Sequence, residues 1–353
     1  MQFVAGVDCH KDSHTIVFLD PQGRLIRQLT IKTSDSGFRR AVEAARKIGD
    51  VIWGLEGSGT YGRGFARALV TVGMVVFEVP GLLTKRHRKH ASTHGKSDEN
   101  DARAIAEAVL REYDRLPRFQ EIEEQEALRL RYDQRDHLVR ERTMLVNRLR
   151  HSILRLGLRL PTQLRSSVAL ERLTEMIEGI KNPSLMDQAV LDEMRFNLGT
   201  IERLDTEIAR LERAIHPFVK KIAPELLQIH GVSDIVAAGL IGHCGNLANV
   251  RNADAFAMRS ATAPVSCSSG RNVTVRVNTG GNRQLNRLLH IIALIQVRSS
   301  AHPGRLYYDR KRQEGKTHLA AMRSLKRRLA TVVYYRLRLS QPRMSAVTPR
   351  KAA

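Results

Sequence analysis

The chain lays down three β-rich runs before its first helix-forming stretch, and that order limits the folds open to it. Phe3 to Val7 is apolar up to Asp8, His10 to Ser13 is turn-like, and His14 to Leu19 resumes a β-rich run. Gly23–Thr33, GRLIRQLTIKT, reads as a third strand. Only then does alternation begin. A helix over 36–48, a short buried strand Val51–Leu55, a helix Arg63–Val72, a strand Met74–Val79 and a helix Glu99–Arg111 follow in turn. A meander feeding α/β alternation is unlike the strand–helix–strand opening of a dinucleotide-binding domain.

The distinction matters because of one stretch, VIWGLEGSGTYGRGFARAL, from Val51 to Leu69. Gly57, Gly59 and Gly62 form a G-x-G-x-x-G there, and Glu78 follows about 20 residues on. Read alone, this predicts a nicotinamide or flavin site. The formal net charge of +22, with 58 Lys and Arg against 36 Asp and Glu, argues otherwise. Such an excess points to a polyanionic partner, most simply nucleic acid, since each phosphate contact needs a cation. THGKSD, Thr93–Asp98, is not a phosphate loop either, because His90 stands where the first Walker glycine belongs.

Three cysteines, Cys9, Cys244 and Cys267, lie far apart, so neither a zinc ribbon nor a disulfide framework is expected and a reduced cytosol fits. The opening residues read as strand rather than leader, so no signal peptide is expected, and no apolar run is long enough to predict a membrane span.

Residues 119–157 are charged and helical, with Leu138, Leu145, Leu149 and Leu156 at three- and four-residue steps. Beyond a break at Pro161, a second long helix carries Leu191, Met194, Leu198, Ile201, Leu204, Ile208, Leu211 and Ile215. This near-heptad spacing predicts a coiled-coil hairpin or a dimer seam, with a bundle helix as the alternative. Pro217 and Pro224 are expected to end it. LLQIHGVSDIVAAGLIGHCGN, Leu226–Asn246, turns at Gly231 between apolar runs, like a helix–hairpin–helix or an ordinary αα-turn. From Ala301 the chain is strongly basic, with Tyr307, Tyr308, Tyr334 and Tyr335 interleaved, which suits phosphate contact and base stacking. The last dozen residues are expected to be disordered.

Four carboxylates carry the chemical argument. Asp8 and Glu56 end strands, and GKSDENDARAIAEA, Gly95–Ala108, puts Asp98 and Asp101 on one face at the start of a helix. The meander order resembles the ribonuclease-H-like sheet, in which strand-end acids and a helix-borne pair meet over the central strands. Hard oxygen ligands of this kind suit Mg²⁺ or Mn²⁺ in phosphodiester chemistry. Singly, each acid has a plainer reading: Asp8 a turn acid, Asp98 a natural N-cap.

The blocks AGVDCHKDSHTIVFLD, GLEGSGTYGRGFARAL and GKSDENDARAIAEA resemble the DEDD transposases of bacterial insertion sequences, insertion-sequence family one-ten, related to the Piv-type DNA invertases. SATAPVSCSSGRNVTVRVNTGGNRQLNRLLHIIAL, Ser260–Leu294, resembles the second domain of the same family. The resemblance implies a RuvC-like α/β domain over 1–115, a helical coiled-coil linker over 116–220, and a mainly α transposase domain over 221–340. A basic tail over 341–353 completes the division.

The resemblance further implies a Mg²⁺-binding tetrad of Asp8, Glu56, Asp98 and Asp101, and a nucleophilic serine at Ser269, with Ser268 and Ser266 close by. Its implied partners are donor and target DNA, a noncoding bridge RNA, and further copies of the chain as a dimer assembling to a tetramer in the bacterial cytoplasm. Arg271, Arg276, Arg283 and Arg287 flank the serine and are expected to meet DNA phosphates. SATAP, Ser260–Pro264, departs from the family's usual Gly-Leu-x-Pro. CHKDSH, Cys9–His14, is richer in histidine than is common, with His10 and His14 as phosphate contacts or members of a solvated turn.

Overall fold

The computed structural model describes residues 2–90, 97–120, 122–159, 164, 166–269 and 272–345. Two compact units divide the chain, 1–121 and 122–353.

The first unit is built on five strands: β1 (Phe3–Cys9), β2 (Ser13–Leu19), β3 (Leu25–Lys32), β4 (Val51–Leu55) and β5 (Val76–Glu78). Their order is β3-β2-β1-β4-β5, with β1–β2–β3 antiparallel and β1–β4–β5 parallel. This is the ribonuclease-H-like arrangement expected from the meander. Helices α1 (Asp35–Ile48) and α2 (Arg63–Thr71) join β3 to β4 and β4 to β5, and α3 (Gly81–His90) and α4 (Asp98–Glu112) follow.

Period-two alternation sorts the central strands between two cores. Ala5, Val7 and Cys9 of β1 and Val51, Trp53 and Leu55 of β4 pack on one face, with Phe38 and Phe65. Val4, Ile52, Ala102, Ile105 and Val109 pack on the other, under α4. On this second face Gly6 and Gly54 remove the side chains that would keep α4 away. A Cβ on Gly6 would lie 2.2 Å from the Ala102 carbonyl oxygen, and one on Gly54 would lie 2.2 Å from Val109 Cγ2. Gly6→Val is therefore expected to cost about 3 kcal/mol, the upper range for overpacking. Trp53, the single tryptophan, reports unfolding of this unit in urea. An unchanged midpoint would contradict this seating of α4.

The second unit opens on α5 (Glu123–Arg155), continues through α6 (Ser167–Glu178) and α7 (Leu185–Ile222), and passes a short 3-10 turn, Pro224–Gln228, into α8 (Asp234–Cys244). Helices α5 and α7 run antiparallel. Glu124 meets Lys221, Arg135 meets Glu212 at 2.7 Å, and Arg142 meets Asp205, so rising numbers on one helix pair with falling numbers on the other. Their distal halves share an apolar cluster with α6 around Leu149, Ile153, Leu173 and Met194. Their proximal ends belong to the C-terminal core, where Leu128, Tyr132, Ile215 and Val219 pack with α8, α9 (Ala253–Arg259), α10 (Arg283–Arg298) and α12 (His318–Ser345). These helices thus belong to the second unit.

Pro217 does not end α7. Buried Ile215, Val219 and Ile222 hold the turn on both sides of it, and the helix stops at Ile222, before Pro224. Gly231 does turn, at φ +92°, but the element before it is the 3-10 turn rather than a full helix, and Gly231 packs against Ile295 of α10. A two-stranded hairpin, β6 (Val265–Ser269) and β7 (Asn272–Arg276), interrupts the helices, and α11 (Pro303–Gln313) precedes α12. Among the described residues no helix is long and apolar enough to cross a membrane.

Candidate functional site

The alternation that places Gly6 and Gly54 under α4 also places Asp8 and Glu56. Each stands two residues beyond its glycine, at the C-terminal ends of neighbouring parallel strands, with Val7 opposite Leu55 in the register. Helix α4 lies along that face with its first turn toward the same end. Ser97 caps it by accepting from the Asn100 N–H, so the cap is not Asp98, and the Asp98 carboxylate is free to face the strand ends.

His10 joins the two sides. Its Nε2 lies 3.0 Å from Asp8 Oδ2 and 3.4 Å from Asp98 Oδ1. The ligand atoms of Asp8, His10 and Asp98 all lie within 4.8 Å of one another, the spacing of a metal-binding group. Asp101 is held by Arg88 of α3, Nη1 to Oδ1 at 2.7 Å, and adds its charge to the field at Asp8. Glu56 abuts Gly81, where a Cβ would come within 2.6 Å of its Oε1.

Burial pushes the Asp8 carboxyl above the ordinary carboxylate range; His10 opposes this, and Asp101 and Asp98 add to it. Cys9 is pushed up to about 12 by burial and by the charges of Asp8 and Glu56. Carboxylates gathered so closely repel one another, and a hard divalent cation would relieve that repulsion; the donor set fits one.

The glycine motif is absorbed by this site. Gly57 turns the chain at φ +75°, and a Cβ on Gly62 would lie 2.7 Å from Cys9 Sγ. Glu78 accepts from Ser58 Oγ at 3.1 Å. These glycines fold the loop after β4 against the strand end that carries Asp8.

His14 is neither a phosphate contact nor in a solvated turn. It is fully buried in β2 and stacked on Phe38 and Phe65, and burial holds its pKa below the usual histidine value. A depressed histidine contributes stability that is complete above its unfolded pKa of about 6.5 and is lost as pH falls below that value. Trp53-monitored unfolding is expected to weaken from pH 6.5 to 5 by up to about 1.4 kcal/mol per pH unit. His14→Phe should remove that part of the slope; an identical slope in both proteins would exclude the assignment.

In the second unit Ser266, Ser268 and Ser269 lie on β6, and Ser269 pairs with Asn272 at the tip of the hairpin. Gly270 and Arg271 fall outside the described residues. Arg276 and Arg283 are exposed, at the foot of the hairpin and the start of α10. Arg287 differs from expectation, because its Nη2 donates to Asp136 Oδ1 at 2.6 Å and to the Tyr132 hydroxyl at 2.7 Å. The basic C-terminal stretch is largely folded. Tyr334 is buried, donating to the Val250 carbonyl, and Tyr308 is bonded to His318, so neither is free to stack on a base. Sequence reasoning missed Arg88, whose only signal was the basic run TKRHRKH ahead of the acids.

Comparison with known proteins shows the family. A DEDD transposase family named for IS110 matches residues 5–156, and the family described as transposase IS116/IS110/IS902 matches residues 223–309. The chain is similar to an uncharacterised protein of insertion element IS116 from Streptomyces clavuligerus, 25% identical over 94% of each chain. It is also similar to one of IS110 from Streptomyces coelicolor, 26% identical over 94% of this chain and 93% of that one. A solved structure of T. thermophilus RuvC in complex with a Holliday junction substrate matches 34% of this chain and all of that one, at 14% identity and a TM-score of 0.28. The first match covers most of the first unit and runs into the start of the second, the other lies within the second, and together they span about two thirds of the chain. The chain belongs to the IS110/IS116 family of DEDD transposases and is a DNA transposase.

Proposed function

We propose that this transposase cuts and rejoins DNA by attack of Ser269, with Asp8, Glu56, Asp98 and Asp101 as the metal-binding acids. The observation that carries the reading is the grouping of Asp8 and Asp98 about His10 at the carboxyl ends of the central strands, with the Asp101 charge felt at Asp8. Asp8, His10 and Asp98 would hold Mg²⁺ or Mn²⁺ directly; Glu56, at the end of the neighbouring strand, and Asp101, held by Arg88, are the two further acids of the proposed set. When bound, such an ion polarises phosphate oxygens and lowers the pKa of a coordinated hydroxyl.

The chain's own groups do the rest. Ser269 Oγ attacks the phosphodiester, an Oγ–P bond forms, and the bond to the 3′ oxygen breaks. The products are a 5′-phosphoserine link and a free 3′-hydroxyl. The bond energy is retained in the link, so the reverse attack by a 3′-hydroxyl reseals a strand without ATP. Arg271, Arg276 and Arg283 neutralise charge on the phosphate as it is attacked. Arg287 supports them from its bond to Asp136.

Serine and acids lie in different units, and we infer that sites assemble from two chains of a dimer, paired again into a tetramer. The antiparallel α5–α7 arm is the natural seam for that coiled-coil assembly. A noncoding bridge RNA, pairing with donor and target DNA, supplies sequence choice, as base pairing does in other RNA-guided systems. The protein works in the bacterial cytoplasm, at the nucleoid.

The test uses purified full-length protein, Mg²⁺, donor and target DNA, and RNA transcribed from the sequence flanking the gene. Strand exchange is expected only with the RNA, and changing its loops should redirect it. Exchange that proceeds equally without RNA would remove the guide from the mechanism.

A further inference from the structure

A cleft of about 990 Å³ opens in the second unit beside the foot of the β6–β7 hairpin, between α10 and α12. Arg276, Arg283, Lys316, Arg323, Lys326 and Arg328 line it, and no Asp or Glu is among its lining residues. Two further lining cations are already matched, Arg287 by Asp136 and Arg327 by Asp254. Arg276, Arg283 and Arg323 have no carboxylate within ion-pair distance among the described residues. Ala320, Arg323, Ser324, Arg327 and Thr331 recur at three- and four-residue steps, so one face of α12 forms a continuous wall.

Lys326 gives an independent pointer. It is half-buried, and its Nζ donates to Asn286 Oδ1 at 2.8 Å rather than to an acid. Burial and the neighbouring Arg323 lower its pKa. Holding a cation this way is costly unless an anion arrives to match it.

We propose that this cleft holds the phosphodiester backbone of a single unpaired DNA strand, the strand whose phosphate Ser269 attacks. The inference rests on the serine reading given above. A volume near 990 Å³ is at the upper end of small-ligand sites and is small for a duplex, whose major groove alone is about 12 Å wide. A row of cations along a helix suits a repeating anion better than one isolated phosphate. Ala263, Pro264 and Val277 supply apolar wall for sugar and base edges. Arg276 both ends β7 and lines the cleft, so a strand lying there continues along the hairpin that carries Ser269.

The test is binding, read by fluorescence anisotropy across a salt series without divalent metal. It uses full-length Ser269→Ala protein with a labelled single-stranded DNA, its duplex and the RNA strand of the same sequence. Arg323→Gln with Arg328→Gln changes two exposed side chains, and Arg39→Gln with Arg40→Gln on α1 is the charge-matched control. The cleft pair is expected to weaken single-stranded DNA about tenfold at moderate salt and to reduce the salt slope by about 1.4, at about 0.7 per lost contact. Duplex and control values should hold. An equal loss in the control, an equal loss on duplex, or a larger loss on RNA would overturn the proposal. Because neither metal nor the Ser269 hydroxyl takes part, this binding result and the covalent-link result stand or fall separately.

Discussion

Ser269→Ala is expected to abolish the covalent protein–DNA link while leaving the fold and DNA binding in place. A serine hydroxyl at neutral pH is a weak nucleophile that a site must activate, and alanine leaves nothing to activate. The rate of strand exchange should fall on the order of 10³-fold or more, as when other enzymes lose a nucleophile. End-labelled junction DNA on a denaturing gel reads both outcomes: a shifted, protease-sensitive band for the wild type, none for the variant. Ser268→Ala is the paired control and should retain the band; a band lost in Ser268→Ala and kept in Ser269→Ala would move the nucleophile to Ser268. Metal-dependent cutting by wild-type protein with no shifted band would instead assign water as the nucleophile. Binding with steep salt dependence and no cutting would reduce the chain to a nucleic-acid-binding protein.

Asp8→Asn is expected to separate stability from chemistry. The Asp8 carboxylate is held against burial and against two like charges. A neutral isostere relieves both, so the metal-free N-terminal unit should melt a few degrees higher by Trp53 fluorescence. Cleavage should fall well beyond the roughly 10- to 100-fold that loss of an outer partner of a metal site costs, because a direct oxygen donor is removed. Mn²⁺ or Mg²⁺ should raise the wild-type melting temperature and leave the variant's unchanged. A variant that still gains stability from the ion, or still cleaves, would place the metal elsewhere. Glu56→Gln tests the second strand end in the same way.

Much of this site was legible because it follows from strand periodicity. Acids at the ends of two strands need only a parallel β1–β4 register to stand on neighbouring strand ends, and β1 and β4 have it. Taken alone the glycines point to a dinucleotide site because β4, α2 and β5 form a genuine parallel crossover, the same local unit that dinucleotide sites use. Only the antiparallel meander before it separates the two folds.

Three features were hidden for different reasons. Helix α3 is too basic to show an apolar period, so neither it nor Arg88 stood out. The β6–β7 hairpin is short and serine-rich, and turn chemistry masks its strands. Tyr334 follows a tertiary contact with Val250, more than 80 residues away, and Pro217 the burial of Ile215, Val219 and Ile222 around it, and local pattern does not carry those.

The two ends of the α5–α7 arm differ in how far apart along the chain their contacts lie. Leu149 and Ile153 share a distal apolar cluster with Leu173 of α6 and with Val190 and Met194 of α7, the next helices along the chain. Leu128 and Tyr132, at the other end, share a core with Leu289, Tyr334 and Leu337, which are synthesised far later. Closing short loops costs less entropy than closing long ones. The arm's tip therefore assembles early on the ribosome, while its base waits, with apolar side chains uncovered, for α12 to emerge. Truncation ahead of α12 removes much more than a basic tail: it leaves the arm standing on an unfinished core.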